Sequence, residues 1–277
     1  MKTVHCYLGA GRAGACARSM AQGIKRCGHH VELKQGWSGQ TNADAVVAYG
    51  WRNVAMFEAY RAKGKAFVYL DMGYWHRRPK GRGIYRGYHK VVVGDRDALQ
   101  YFRRGQPASR WRSLAVDIKP WRRTGRHILL AGMSHKSAVH NGYRAQEWET
   151  EAVARIRRYS DRPILYRPKP SWPHSSPIAG TTFWRPDSPL QADLENAWAV
   201  VTHHSNVGLE ALAAGIPVYS EGGLASTMTM ELEQIESPPL PDDRESFFAD
   251  VAYCQWSADE MESGACWRHL QREGLVP

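Results

Sequence analysis

Residues 200–223, VVTHHSNVGLEALAAGIPVYSEGG, decide how the chain is read. An apolar run breaks at His203-His204-Ser205-Asn206, resumes as a helical stretch with one carboxylate, Glu210, and passes through Ala-Ala-Gly-Ile-Pro into a second apolar run. That order is strand, helix, strand, with small polar residues where the first strand ends. The alternation extends outwards. TVHCYLG, HVEL, ADAVVAYG, AFVYLD and HKVVVG read as strands, with helices in GRAGACARSMAQGIKRCG, VAMFEAYRAKG and DALQYFRR. After a break at DIKPWRRTGR it restarts with the strand HILLAG, the helix AQEWETEAVARIRRYS and the strand PILYRP. A Pro/Ser-rich loop from Pro168 to Pro189 and the helix LQADLENA lead into AVVTHH. This predicts an α/β protein with two Rossmann-like domains in series, residues 1–123 and 124–239, and closing helices over 240–277 that fold back on the first.

The composition bounds the function. A chain of 277 residues, 43% apolar with 11 tryptophans, has the material for a real core. MKTVHCYLGAGRAG lacks the long apolar segment of a signal peptide, and nowhere do 18 apolar residues run together, so no membrane span is expected. The five cysteines are odd in number and show neither CxxC nor zinc-ligand spacing. They read as reduced thiols of a cytoplasmic protein with no structural metal. The net charge of +10 is concentrated between Arg52 and Arg126, as in HRRPKGRGIYRGYHK. Solubility accounts for such an excess, and so does a polyanionic partner. Tyr74, Trp75, Tyr85, Tyr88, Trp111 and Trp121 interleave with the arginines, the pattern by which aromatic faces hold bases while cations hold phosphates.

Ligands of open α/β sheets sit outside the carboxyl ends of the strands, so the informative residues are those just after each apolar run. Gly9, Gly11 and Gly14 form GxGxxG, with Glu32 at the distance of a dinucleotide acid, but tight-turn duty explains the glycines as well. Asp71 ends a strand ahead of Gly73, Tyr74 and Trp75. A carboxylate there can take a proton from an attacking hydroxyl, the glycine leaving room for the acceptor, or it can cap a turn. Asp44 and Asp95 are alternative bases. Asp95 and Asp97 form a DxD that reads as an acidic helix start rather than a metal grip. Ser134, His135 and Lys136 follow one strand, and Arg167 and Lys169 follow another between stiffening prolines. Such cations suit a diphosphate. Ser205 and Asn206 stand at a helix start, where N–H groups attract phosphate, and Glu210 lies one turn on, placed to take the hydroxyls of a ribose.

YRPKP followed by THHSNVGLEALAAGIPVYSEGG resembles the donor-binding half of the two-domain, doubly Rossmann glycosyltransferases of the GT-B fold, over residues 125 to 235. The layout is shared by capsule-polysaccharide transferases and by phage transferases that place sugars on hydroxymethylated DNA bases. The basic, aromatic first half leans toward the DNA type. The resemblance implies an inverting transfer from a nucleotide sugar such as UDP-glucose to a hydroxyl on a base such as 5-hydroxymethylcytosine in double-stranded DNA. Gly11, Ser134, His135, Lys136, Arg167, Lys169, Ser205, Asn206 and Glu210 would bind the donor, and Asp71 would be the base. Tyr74, Trp75, Arg77, Arg78 and Lys80 would meet the acceptor. No metal cofactor is implied, although a divalent ion could assist product release. The same fold acting on a surface polysaccharide or small acceptor, and a non-enzymatic nucleic-acid-binding α/β protein, are the alternatives.

Overall fold

The computed structural model describes residues 1–50, 53–78, 83–94, 105–183 and 188–277. Lys80, Asp95, Asp97 and the expected helix DALQYFRR lie outside the described residues. The chain divides into two α/β units, Met1–Leu114 with Phe248–Pro277, and Ala115–Phe247.

Unit one is built on β1 (Thr3–Tyr7), β2 (His30–Lys34), β3 (Ala45–Tyr49), β4 (Ala66–Met72), β5 (Tyr88–Val93) and β11 (Gln255–Ser257), in the order β11-β5-β4-β3-β1-β2. The strands from β4 to β2 are parallel, while β5 runs antiparallel to β4 and β11 antiparallel to β5. The near-continuous apolar run Ala45–Ala48 is what a strand covered on both faces requires, and these residues have no exposure. Helix α1 (Arg12–Arg26) starts after Gly11, whose φ of 54° is one that glycine adopts without strain. It buries Cys16, Ala17, Met20, Ala21 and Ile24, a stripe at helical spacing, and ends with Lys25 and Arg26 at the negative end of its dipole.

Two short C-terminal helices, α9 (Ala258–Glu262) and α10 (Ala265–Arg272), pack on this unit. Gly23 of α1 makes the approach possible, because a β-carbon there would stand 1.8 Å from the Met261 carbonyl oxygen. The Arg86 guanidinium pairs with Asp259 and, at 2.9 Å, with Glu262. The tail expected to be helical also contributes strand β11, with Trp256 opposite His89. Three residues carry no period that a sequence reading could detect.

Unit two holds a five-stranded, wholly parallel sheet of β6 (His127–Ala131), β7 (Ile164–Arg167), β8 (Thr182–Phe183), β9 (Ala197–Thr202) and β10 (Val218–Ser220). The order is β10-β9-β6-β7-β8. Between the strands run α4 (His135–His140), α5 (Glu147–Ile156), α6 (Leu190–Glu195) and α7 (Val207–Ala213). The core gathers Ile128, Leu130, Trp148, Ile156, Tyr166 and Val201 between sheet and helix. Strand β8 lies within the Pro/Ser-rich segment expected to be loop. The division between the units falls inside α8 (Arg244–Ala252).

Gly23→Ala places a methyl group against backbone that cannot rotate away. It should lower the unfolding free energy by about 1–3 kcal/mol, the usual cost of overpacking, as measured by urea denaturation. Wild-type stability in that variant would mean that α1 and α9 are not in close contact.

Candidate functional site

In unit two the strand order reverses between β6 and β9, and such a reversal opens a crevice at the carboxyl ends. The Thr202 hydroxyl donates to the Ala131 carbonyl at 3.2 Å, joining the two strand ends, and accepts the Ser205 N–H at 3.3 Å. After β6, Ser134 caps α4 by accepting the Ser137 N–H at 3.2 Å, leaving His135 and Lys136 exposed. After β9, the Ser205 hydroxyl accepts the Val207 N–H at 3.3 Å, while the Asn206 side chain makes no capping bond. Glu210 stands half-buried in the first turn of α7. After β7, Lys169 is exposed, and the rings of His135 and Trp172 approach to 6.1 Å, bringing two loops side by side. Ser134, His135, Lys136, Lys169, Ser205, Asn206 and Glu210 therefore all belong to this carboxyl edge.

Arg167 does not present its charge to a ligand. It is buried at 9% exposure, paired with Asp193 and donating to the Ser188 carbonyl at 2.9 Å. Burial pushes the Asp193 carboxyl upward, against the pull of Arg167. Arg167 thus fixes the end of β7, and of the two cations expected at a diphosphate Lys169 is the exposed one.

Two elements of this edge were not singled out from the sequence. His203 Nδ1 lies 2.8 Å from His204 Nδ1, and His204 Nε2 lies 3.0 Å from the Ser137 hydroxyl. Two facing Nδ1 atoms share one proton, so the tautomers of the pair are linked. His203 Nε2 is 3.8 Å from Glu221, which pairs with Arg155 at 2.6 Å. A polar relay thus runs from Ser137 to Arg155, and the paired histidines and the polar loop after HILLAG were its sequence signals. The second element is Glu149, with no exposure, whose Oε1 accepts the Met133 N–H at 2.6 Å. Its Oε2 has no partner among the described residues, and burial pushes its carboxyl up. This glutamate holds the exit of β6, one residue before the Ser134 cap.

In unit one, Asp71 ends β4 half-buried at the carboxyl edge. Its Oδ1 accepts the Met72 N–H at 2.8 Å, and the Tyr69 hydroxyl donates to Oδ2. Tyr49, ending β3, is within electrostatic reach of Asp71 and of Arg12 at the start of α1. Burial and the Asp71 charge push the Tyr49 phenol up while Arg12 pulls it down. His89 opposite Met72 is buried, which lowers its pKa. Asp44 lies at the amino end of β3, accepting the Thr3 N–H at 2.8 Å, so it is at the wrong edge to share a site with Asp71. The Thr3 bond first, and Lys2 after it, hold its carboxyl low.

The neighbours of Asp71 differ from expectation. Gly73 does not open space for an acceptor, because a β-carbon there would meet the Tyr88 carbonyl oxygen at 2.6 Å. The Tyr74 and Trp75 N–H groups both donate to the Gln255 side chain, at 2.8 and 3.0 Å. Tyr74 is only 4% exposed, and Trp75 meets Trp111 and Phe248 edge to face. Arg77 turns back to donate to the Tyr74 carbonyl at 2.9 Å, and Arg78 is exposed. Gly11 supplies the turn into α1 within unit one, whereas the other expected donor residues belong to unit two. Glu32 pairs with Lys34 at 2.5 Å. Among the described residues no cluster of three or more His, Cys, Asp or Glu could hold a metal ion, and no helix is long and apolar enough to cross a membrane.

No family profile and no curated protein matches the chain. Among solved structures it is similar to the beta Kdo 2,7 transferase of Thermosulfurimonas dismutans KpsC, with 15% identity and a TM-score of 0.56 over 97% of this chain and 100% of that one. It is also similar to the beta Kdo 2,4 transferase of the same KpsC, with 14% identity and a TM-score of 0.54 over 90% of each. The likeness is one of fold, that of two Rossmann-like units in series, the GT-B fold class.

Arg167→Ala would strand the Asp193 carboxylate in the sheet, and breaking a buried pair in this way costs about 3–5 kcal/mol. Urea unfolding should show that loss; an intact, fully stable variant with weakened nucleotide-sugar binding would instead restore a direct role. Glu149 gives a pH signature. Its raised pKa means that, between the ordinary carboxyl value and the folded one, the native state keeps a proton the unfolded state has lost, so its contribution to stability falls as pH rises through that window. Glu149→Gln keeps the acceptor for Met133 without titrating, so its stability advantage over wild type should grow from pH 5 to pH 8. A difference independent of pH would remove the buried-carboxyl account.

Proposed function

We propose that the chain is a glycosyltransferase that moves a sugar from a nucleotide-activated donor, held by unit two, to a hydroxyl of a carbohydrate acceptor. The observation that carries this reading is the convergence of polar residues from three strand ends at the reversal point of unit two. Hydroxyls, a lysine pair and the histidine relay there suit a phosphorylated, hydroxyl-rich ligand better than an apolar one. The fold shared with the two KpsC transferase domains supports the reading. Lys136 and Lys169 neutralise the leaving phosphate as the bond between the anomeric carbon and its oxygen breaks. Glu210 takes ribose hydroxyls. Asp71 accepts the proton of the attacking hydroxyl, whose oxygen forms the new bond with inversion at that carbon. Tyr69 and the Met72 N–H hold the carboxylate in one orientation for the task.

The choice of acceptor follows from the aromatic residues. An extruded base such as 5-hydroxymethylcytosine needs a free stacking face, and Tyr74 and Trp75 are engaged within unit one. Arg78 and the other exposed basic residues are what remains in favour of DNA. For the donor, UDP-glucose and a nucleotide-activated Kdo are the two to try, the latter because the similar structures are named as Kdo transferases.

Incubation with both donors against oligosaccharides and hydroxymethylated duplex, followed by mass spectrometry, tests the reading. Sugar should appear on an oligosaccharide; transfer to duplex alone would replace the acceptor, and no transfer from any nucleotide sugar would remove the enzyme. In single-turnover assays Asp71→Asn should lose about 10²–10⁴-fold in rate, the range for a missing general base, with donor affinity and melting temperature near wild type. A rate close to wild type would take the base away from Asp71.

A further inference from the structure

Unit one carries a second concave surface, away from the strand ends. A groove of about 410 Å³ is lined by α3 (Ser109–Ser113), β11 and the C-terminal helices. One wall is α10, where Arg268 and Arg272 stand one turn apart on the same face. The other is α3, where Ser109 and Ser113 have the same spacing. The floor is Tyr253 and Trp256.

The charges in the groove do not cancel. Arg110 is consumed by Glu260 at 3.0 Å and by the carbonyls of Ala252 and Gln255 at 2.9 and 2.7 Å. Arg268 donates to the Ser263 carbonyl at 3.1 Å and to the Cys27 sulfur at 3.9 Å, neither of which neutralises its charge. Among the described residues neither Arg268 nor Arg272 forms an ion pair, so two exposed cations line one wall uncompensated. The aromatic floor offers no stacking face for a base. Arg110 lies over the Trp256 ring at 3.8 Å, and Tyr253 is stacked on His269 at 4.6 Å. A ligand of this groove is therefore recognised by anionic groups and hydroxyls, not by π-faces, which separates it from single-stranded nucleic acid.

We propose that this groove binds an anionic carbohydrate, its carboxylates on Arg268 and Arg272 and its hydroxyls on Ser109 and Ser113. The site goes beyond the sugar-transfer reading and can be tested without it. Two guanidiniums one turn apart hold successive carboxylates of a chain; the Ser109 hydroxyl can donate to and accept from sugar hydroxyls, while the Ser113 hydroxyl, which donates to the Arg110 carbonyl at 2.7 Å, accepts from them.

The probe is an oligogalacturonate, titrated against the full chain by calorimetry at two salt concentrations, with a neutral maltooligosaccharide and a short DNA duplex as comparisons. The variant is Arg268→Ser with Arg272→Ser; a control, Arg123→Ser with Arg158→Ser, removes the same charge from exposed positions of unit two. Oligogalacturonate should bind wild type and the control alike and lose at least about tenfold in affinity in the groove variant, a tenfold change being 1.4 kcal/mol. The neutral sugar should not bind. Equal losses in both double variants, no binding to wild type, or duplex binding that the groove variant abolishes to the same degree would each overturn the site. Nucleotide-sugar affinity and melting temperature on the same samples separate its failure from failure of the donor assignment or of the fold.

Discussion

A parallel strand cannot pass to its neighbour through a tight turn; the chain must cross the sheet and return to the edge it started from. This constraint settles where chemistry can be placed in either unit. In unit two all five strands point one way, so the segments after β6, β7 and β9 emerge along one edge. At the reversal between β6 and β9 the neighbouring crossovers turn to opposite sides and leave the strand ends uncovered. Thr202 bridges that gap with its own hydroxyl. In unit one Asp71 reaches the corresponding edge because β4 is parallel to β3, and the antiparallel β5 beside it brings His89 alongside.

Placing polar loops on a rigid edge demands buried polar anchors beneath them. Arg167 and Asp193 hold the exit of β7, and Glu149 holds the exit of β6. Gln146, in the left-handed region at φ 56°, clamps the Pro/Ser-rich segment by donating to the Ser176 carbonyl at 2.8 Å and accepting the Ser176 N–H at 2.9 Å. A non-glycine residue in that conformation costs about 1–3 kcal/mol, which the paired amide bonds offset. Each anchor is a polar group the core would do without if it had only to be stable, and each ties down a loop of the candidate donor edge.

What was legible in the sequence follows from what leaves a period. The parallel strands and α1, with its stripe from Cys16 to Ile24, are long enough to declare themselves, and the two α/β units with C-terminal helices on the first follow from them. Strand β11 and strand β8, at three and two residues, do not. The antiparallel course of β5 left no mark either, since a buried strand is apolar whichever way it runs. At the site, residue type located the loops after β6, β7 and β9, but it could not say which cations are buried. Arg167 and Lys169 are two residues apart in the same basic segment, yet one is buried against Asp193 and the other exposed. The aromatic pattern misled for the same reason, because Tyr74, Trp75 and Trp111 serve packing within unit one.

The return of residues 248–277 to unit one has a consequence for how the protein comes into being. Unit two is a single continuous stretch, whereas the sheet of unit one lacks β11, and Gly23 its neighbour Met261, until residues 248–277 have been made, after the whole of unit two. The ribosome thus releases the second unit's sequence before the first can close. Until then β5 is an open sheet edge and the face of α1 around Gly23 is uncovered, a nascent state in which, of the two units, the one begun first closes second and needs protection from pairing with other chains.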